Sequence, residues 1–295
     1  MPIKERFTWF HLINYTVFTI ITIICVFPFY YLFINTISNN DLSSRGLVMF
    51  YPKGLHFTNY TDVFKIPGLG QAALVSVGRT LIGTALTVLA SAFLGYLFTT
   101  HMWGRKFWYR FLVITMYFNA GLIPWYLTML HLGLTNNFLA YILPAIVQPF
   151  FIILVKTFVE STPLALQESA QIDGAGYFKI FTTIIFPLIT PILATIAIFS
   201  SVSQWNSFTD TLFLITDQRL FTLQFILYRY MNEATSIAQL MKQSTGGMDL
   251  DLANMATPTS IRTTVSMVVV LPILLVYPFF QRFFVKGIMI GAVKG

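Results

Sequence analysis

Glu168-Ser169-Ala170-Gln171-Ile172-Asp173-Gly174-Ala175-Gly176, followed by Ile184-Ile185-Phe186-Pro187, is a polar, helix-forming island in a chain that is otherwise almost entirely apolar. From Leu164 to Ile172 the helix formers Leu, Ala, Gln and Glu dominate. Thr162 and Pro163 predict the start: Thr162 as the cap, Pro163 at the first helical position, where its missing N–H costs nothing. Gly174-Ala175-Gly176 supplies the permissive backbone for a sharp reversal into a second short helix. Such an element can lie in a groove on a partner while its other side rests on its own bundle. An amphipathic linker resting on lipid headgroups fits the same residues, so both readings stand at this level.

Working outward, 295 residues with 56% hydrophobic and only 10% charged side chains cannot cover a soluble surface of ordinary polarity. Mean hydropathy is +0.72. The expected class is an all-α integral membrane protein forming one membrane domain over 1–295. Six runs reach the length of about 20 residues that a crossing needs: 11–34, 74–98, 107–130, 137–159, 180–204 and 262–284. The island therefore falls between the fourth and fifth spans. Lys4 and Arg6 precede the first run as in a secretory signal, but the run is too long and lacks a small-x-small cleavage site, so it is expected to be a retained span.

An even number of spans puts both termini on one side. Placing that side in the cytoplasm groups Lys4, Arg6, Arg105, Lys106, Arg110, Lys156, Lys179, Arg282, Lys286 and Lys294 with only Glu5, Glu160, Glu168 and Asp173. The other side is nearly balanced and lies mostly in two long segments, 35–73 and 205–261, where charge counts weigh little. The net charge of +7 is thus accounted for by topology, with no call for a nucleic-acid partner. Within the outer segments, Phe221 to Arg229 predicts an interfacial or short external helix, and 231–256 a partly helical stretch with a Gly-containing break.

No phosphate-binding loop or His-Glu-x-x-His motif is present, the four histidines are scattered singly, and Cys25 is the sole cysteine. Gly68-Leu69-Gly70-Gln71-Ala72-Ala73 matches a dinucleotide fingerprint only loosely, follows Pro67 rather than a strand, and predicts a turn before the second span. No acid falls within the six runs, which removes the usual engine of a proton-coupled transporter. Arg79 and Lys156 lie near span ends and are expected to snorkel to the interface. Pro28, Pro124, Pro144, Pro149, Pro187, Pro191, Pro272 and Pro278 are expected to bend spans.

The order Glu168-Ser169-Ala170, Gly174 four residues on, and Ile184-x-Phe186-Pro187 resembles the Glu-Ala-Ala-x-x-x-Gly-x(9)-Ile-x-Leu-Pro signature of ABC importer permeases, with Ser169 and Phe186 as mild departures. Trp205-Asn206-Ser207-Phe208 and the ending from Gln281 to Gly295 resemble the carbohydrate-uptake branch. Gly121-Leu122-Ile123-Pro124 and Leu271 to Pro278 are most similar to oligosaccharide permeases of Gram-positive bacteria. The resemblance implies the type I importer fold: six transmembrane helices, with a cytoplasmic coupling helix over 163–177 in which Glu168, Ser169, Ala170, Asp173, Gly174 and Ala175 meet an ATPase. It also implies a second permease subunit, two cytoplasmic ABC ATPase subunits carrying ATP and Mg, and an extracellular solute-binding lipoprotein. This chain would be multi-pass in a bacterial cell membrane, bind no cofactor and cleave nothing.

Sugars present hydroxyls and apolar ring faces, so a path for them wants amides beside aromatic platforms. Gln204, Trp205 and Asn206 at the outer end of the fifth span, and Asn119 beside Tyr117 in the third, offer that combination. Helix–helix hydrogen bonding and an interfacial tryptophan explain them equally well. Two classes of function follow: an ATP-powered importer subunit, and an ATP-independent channel or facilitator for a small polar solute.

Overall fold

Glycine and proline decide which apolar runs stay unbroken. The computed structural model describes residues 9–118, 120–232 and 258–292, and every regular element among them is helical. The chain runs through α1 (Trp9–Thr36), α2 (Asn40–Ser44), α3 (Thr58–Phe64), α4 (Leu69–Leu97), α5 (Arg105–Tyr117) and α6 (Leu122–His131). Two 3-10 turns, Phe138–Tyr141 and Leu143–Ala145, lead to α7 (Pro149–Glu160) and α8 (Ala165–Ile172). Then come α9 (Tyr177–Ile180), a π-turn Phe181–Ile185, α10 (Phe186–Leu188), α11 (Thr190–Asn206), α12 (Thr209–Leu214), α13 (223–232) and α14 (Pro258–Ala292).

Three crossings are continuous by length and composition: α1, α4, and α14 over Thr259–Val276. The other three expected spans are broken pairs, and counting each pair as one crossing restores six. In 107–130, α5 and α6 meet at 119°. Phe118 leaves α5 in an extended conformation, and Gly121 enters α6 at φ 88° and ψ 177°, a region open essentially to glycine alone. In 137–159 the bend is 44°, between Pro144 and Pro149. The Ala145 carbonyl released there accepts the Thr87 hydroxyl of α4 at 3.0 Å. In 180–204 the bend is 77°, where the π-turn gives way to Pro187 and Pro191. Pro191 has no N–H for the Pro187 carbonyl, and the Thr190 hydroxyl takes its place at 2.7 Å. At these last two breaks a hydroxyl thus meets a freed carbonyl, as backbone polar groups in a bilayer require. Pro28, Pro272 and Pro278 lie inside helices that continue through them.

The chain divides into two units, one of residues 1–66 with 229–270, the other of 67–228 with 271–295. In the first, α1 exposes apolar side chains around its length and buries only Ile34, Asn35 and Thr36 at its end. That end opens into a small lobe with a polar interior. Asn35 accepts from Ser43 at 2.7 Å, and Asn59 donates to the Thr36 carbonyl and to Asn40. Much of the outer segment 35–73 is thus packed around buried polar groups.

In the second unit, α4 runs against α11 and α7. Near its C-terminal end, Ala92 and Tyr96 join Val155 and Val159 of α7, Ile180, Phe181, Ile185 and Ile189, and Leu193 and Ile196 of α11 in one apolar cluster. Gly95 allows α4 this close to α7, since a Cβ there would stand 2.6 Å from Val155. Near the N-terminal end of α4, Val75 packs with Met129, Leu134, Tyr141, Leu214 and Ile215. Gly68 forms the expected turn before α4, at φ +82°. A helix does occupy the expected Phe221 to Arg229 stretch, as α13, with Leu223, Phe225, Ile226 and Leu227 buried, while most of 231–256 lies outside the described residues.

Candidate functional site

The island folds as α8, a turn, and α9. Its start differs from the expectation: the helix begins at Ala165, with Leu164 at the cap position. Thr162 turns back instead, donating to the Val159 carbonyl at 2.6 Å. The Val159 carbonyl at the end of α7 also accepts the Thr162 N–H at 3.0 Å, so the hydroxyl closes the end of α7 instead of capping α8. The far end follows the expectation. Gly174 sits at φ +78°, its N–H donates to the Gln171 carbonyl, and the Ala175 N–H reaches back to Ala170 at 2.9 Å. This is the paired closure of a Schellman turn.

Ala170 and Ala175 pack against the apolar cluster of α4, α7 and α11. Ala165, Glu168, Ser169 and Ile172, spaced as one helical face, are exposed, with Ile172 86% accessible. Glu168 and Asp173 make no salt bridge among the described residues, and Asp173 stands at the helix C-terminus, where the dipole disfavours an acid. The six residues named from sequence thus fall into two groups. Glu168, Ser169, Asp173 and Gly174 face outward, while Ala170 and Ala175 anchor the helix.

At the other end of α4 stands a polar node that sequence reasoning missed. Arg79 is 2% exposed rather than snorkelling. Its guanidinium donates to Asp210 at 2.6 and 3.1 Å, to Gln204 at 3.0 and 3.2 Å, and to the Ser207 carbonyl at 3.3 Å. It also lies over the Tyr141 ring at 4.5 Å. Tyr141 in turn donates to the Leu220 carbonyl and accepts from Thr211. In the adjoining turn, Asp217 caps the Arg219 N–H, and hydrogen bonds from Arg219 hold its carboxyl below the usual carboxylate range. The available signal was a lone arginine in an apolar run and an acid soon after another. Lys156, also expected to snorkel, pairs with Glu160 at 2.7 Å over the Tyr109 ring.

Of the residues named for a sugar path, three stand together at the end of α11. Gln204 is buried with its oxygen on Arg79, Trp205 is half-buried, Asn206 is exposed, and Asn119 lies outside the described residues.

The described residues thus combine apolar spans, three of them bent, with a short helix that presents one face outward and is anchored through Ala170 and Ala175. The chain belongs to the family described as binding-protein-dependent transport system inner membrane component, whose model matches residues 87–290. It is 35% identical over 276 residues to Protein LplC of Bacillus subtilis, covering 92% of this chain and 90% of that one. It is 31% identical to the polygalacturonan/rhamnogalacturonan transport system permease protein YtcP of the same organism, covering 97% and 98%. Its fold matches a bacterial ABC transporter involved in import of the acidic polysaccharide alginate, with TM-score 0.81 at 23% identity over 95% of this chain and all of that one. The chain is a permease component of an ABC import system, a transport subunit and not an enzyme.

Proposed function

We propose that the chain is one of two permease subunits of an importer for an oligosaccharide, set in a bacterial cell membrane with both termini and α8 on the cytoplasmic side. Residues 163–177 seat in a cleft of one of two ABC ATPase subunits, which carry ATP and Mg, and an extracellular solute-binding lipoprotein delivers the sugar. The exposed face of Ala165, Glu168, Ser169 and Ile172, on a helix pinned through Ala170 and Ala175, carries this reading. A large apolar residue beside an unpaired acid suits a protein groove better than open water. When the ATPase pair closes, α8 is displaced, and Ala170 with Ala175 in the following turn delivers that displacement to the cluster containing α4, α7 and α11. The saccharides in the names of YtcP and the alginate importer support the cargo class. Family membership disfavours the channel alternative.

The test is reconstitution of the complete importer in vesicles with its binding protein. Sugar-loaded binding protein should stimulate ATP hydrolysis, and uptake should cease without ATP. ATP-independent uptake through a folded complex would restore the facilitator reading.

A further inference from the structure

The connection from α4 to α5 carries charge that nothing among the described residues balances. His101, Met102, Gly104, Arg105, Lys106, Phe107 and Arg110 line an open cavity of about 770 Å³. Its three charged side chains are all cations, and no carboxylate among the described residues pairs with any of them. Arg105 donates to the Thr99 carbonyl at 3.2 Å. Helix α5 starts at Gly104 with no side-chain cap and no acid in its first turn. Cations at a helix N-terminus oppose the dipole, and Lys106 and Arg110 repel each other at i, i+4. Every local term is relieved by an anion.

The surroundings say which anion. Trp103 is 91% exposed, and Trp108 stacks edge-on between Phe107 and Phe111, the residue types that collect at the membrane–water boundary. Phe107, Phe111 and Ile114, at i, i+4 and i+7, form an exposed apolar stripe leading from the cavity along α5. Tyr109 lies under Lys156, which pairs with Glu160 at the end of α7, just before α8. The cavity is therefore on the same end of this unit as the docking helix.

We propose that this cavity binds the head group of an anionic phospholipid, its phosphate between Lys106, Arg110 and the first turn of α5 and its acyl chains along Phe107, Phe111 and Ile114. The stripe distinguishes a lipid from free phosphate, which has no use for it. Assignment to the cytoplasmic leaflet rests on the proposed orientation, whereas the site itself does not.

The complete importer, purified into nanodiscs of phosphatidylglycerol or phosphatidylcholine and then extracted, should retain phosphatidylglycerol preferentially by native mass spectrometry. Lys106→Gln with Arg110→Gln should lower that retention roughly thirtyfold, from about 1 kcal/mol per removed cation at a membrane surface. Lys179→Gln, outside the cavity, should not. A photoreactive residue at Met102, with every charge left in place, should crosslink phosphatidylglycerol well above phosphatidylcholine. Equal crosslinking of the two lipids, or unchanged retention in the double variant, overturns the proposal. Release of the lipid by millimolar inorganic phosphate reassigns the cavity to a small anion. Labelling of Ser169→Cys from outside the cell would refute the leaflet and the orientation while leaving the lipid arms intact.

Discussion

Arg79 and Asp210 stand 131 positions apart in the chain and meet at 2.6 Å, joining α4 to α12 with side chains only 3% and 14% exposed. Removing one member leaves the other buried without its counter-charge, which costs about 3–5 kcal/mol. Asp210→Asn and Arg79→Met should each lower the thermal midpoint of the purified complex markedly. Arg79→Met with Asp210→Leu should recover part of that loss, because an apolar pair leaves no charge stranded. A double variant less stable than both single variants would show that the node acts through more than this pair.

Gly174 is the position where α8 closes, and its φ of +78° is available to glycine at no strain. A Cβ there would meet nothing within 4 Å, so the penalty for a side chain is conformational rather than steric. Gly174→Val should cost about 1 kcal/mol or more in the turn and lower both ATPase retention and stimulated hydrolysis. Gly174→Asn, which tolerates this backbone, should be milder. Glu168→Lys, on the exposed face, should weaken ATPase association with no loss of stability. Size-exclusion copurification of the ATPase subunits measures all three, and full retention in Gly174→Val and Glu168→Lys would remove α8 from the ATPase contact.

These two regions differ in how far local pattern reaches. A glycine after a run of helix formers marks a helix end through backbone sterics alone, so Gly174 and its reversal were legible in the island. Pro144, Pro149, Pro187 and Pro191 likewise marked bent spans, although that the breaks would separate helices by 44° and 77° depends on which hydroxyls repair the freed carbonyls. Gly121 was the weaker signal, since only a folded chain shows it in a conformation closed to other residues. Thr162 differs from its expected capping role because the end of α7 and the start of α8 both lie within reach of one hydroxyl, and spacing does not rank them. For the Arg79 node the sequence held only a weak signal, a lone arginine in an apolar run: its acid lies in a segment read as external, and pairing across 131 positions leaves no periodic pattern.

Orientation has its own check. With Cys25 removed, Ser44→Cys should react with an impermeant maleimide in intact cells, and Ser169→Cys only after permeabilisation. Ser44 is the useful position because it is exposed, whereas Ser43 is buried and bonded to Asn35. The reverse pattern would invert the topology argued from the short basic loops.

At the end of α11, three consecutive side chains separate a structural role from a binding one. Gln204 is committed to Arg79 through its oxygen, so Gln204→Ala strips a buried cation of an acceptor and should lower stability first, with any loss of uptake following from that. Asn206 is exposed and Trp205 half-buried, which leaves an amide and an aromatic surface for a sugar hydroxyl and ring face. Asn206→Ala should raise the sugar concentration for half-maximal uptake roughly fivefold, the worth of about one hydrogen bond, with the thermal midpoint and basal ATPase rate unchanged. Trp205→Ala should act in the same direction and more strongly, since it removes the larger contact area. The decisive comparison sets uptake curves beside melting curves for the three variants. If Asn206→Ala and Trp205→Ala transport normally across the whole sugar range, the path runs elsewhere and Trp205 serves as an interfacial anchor.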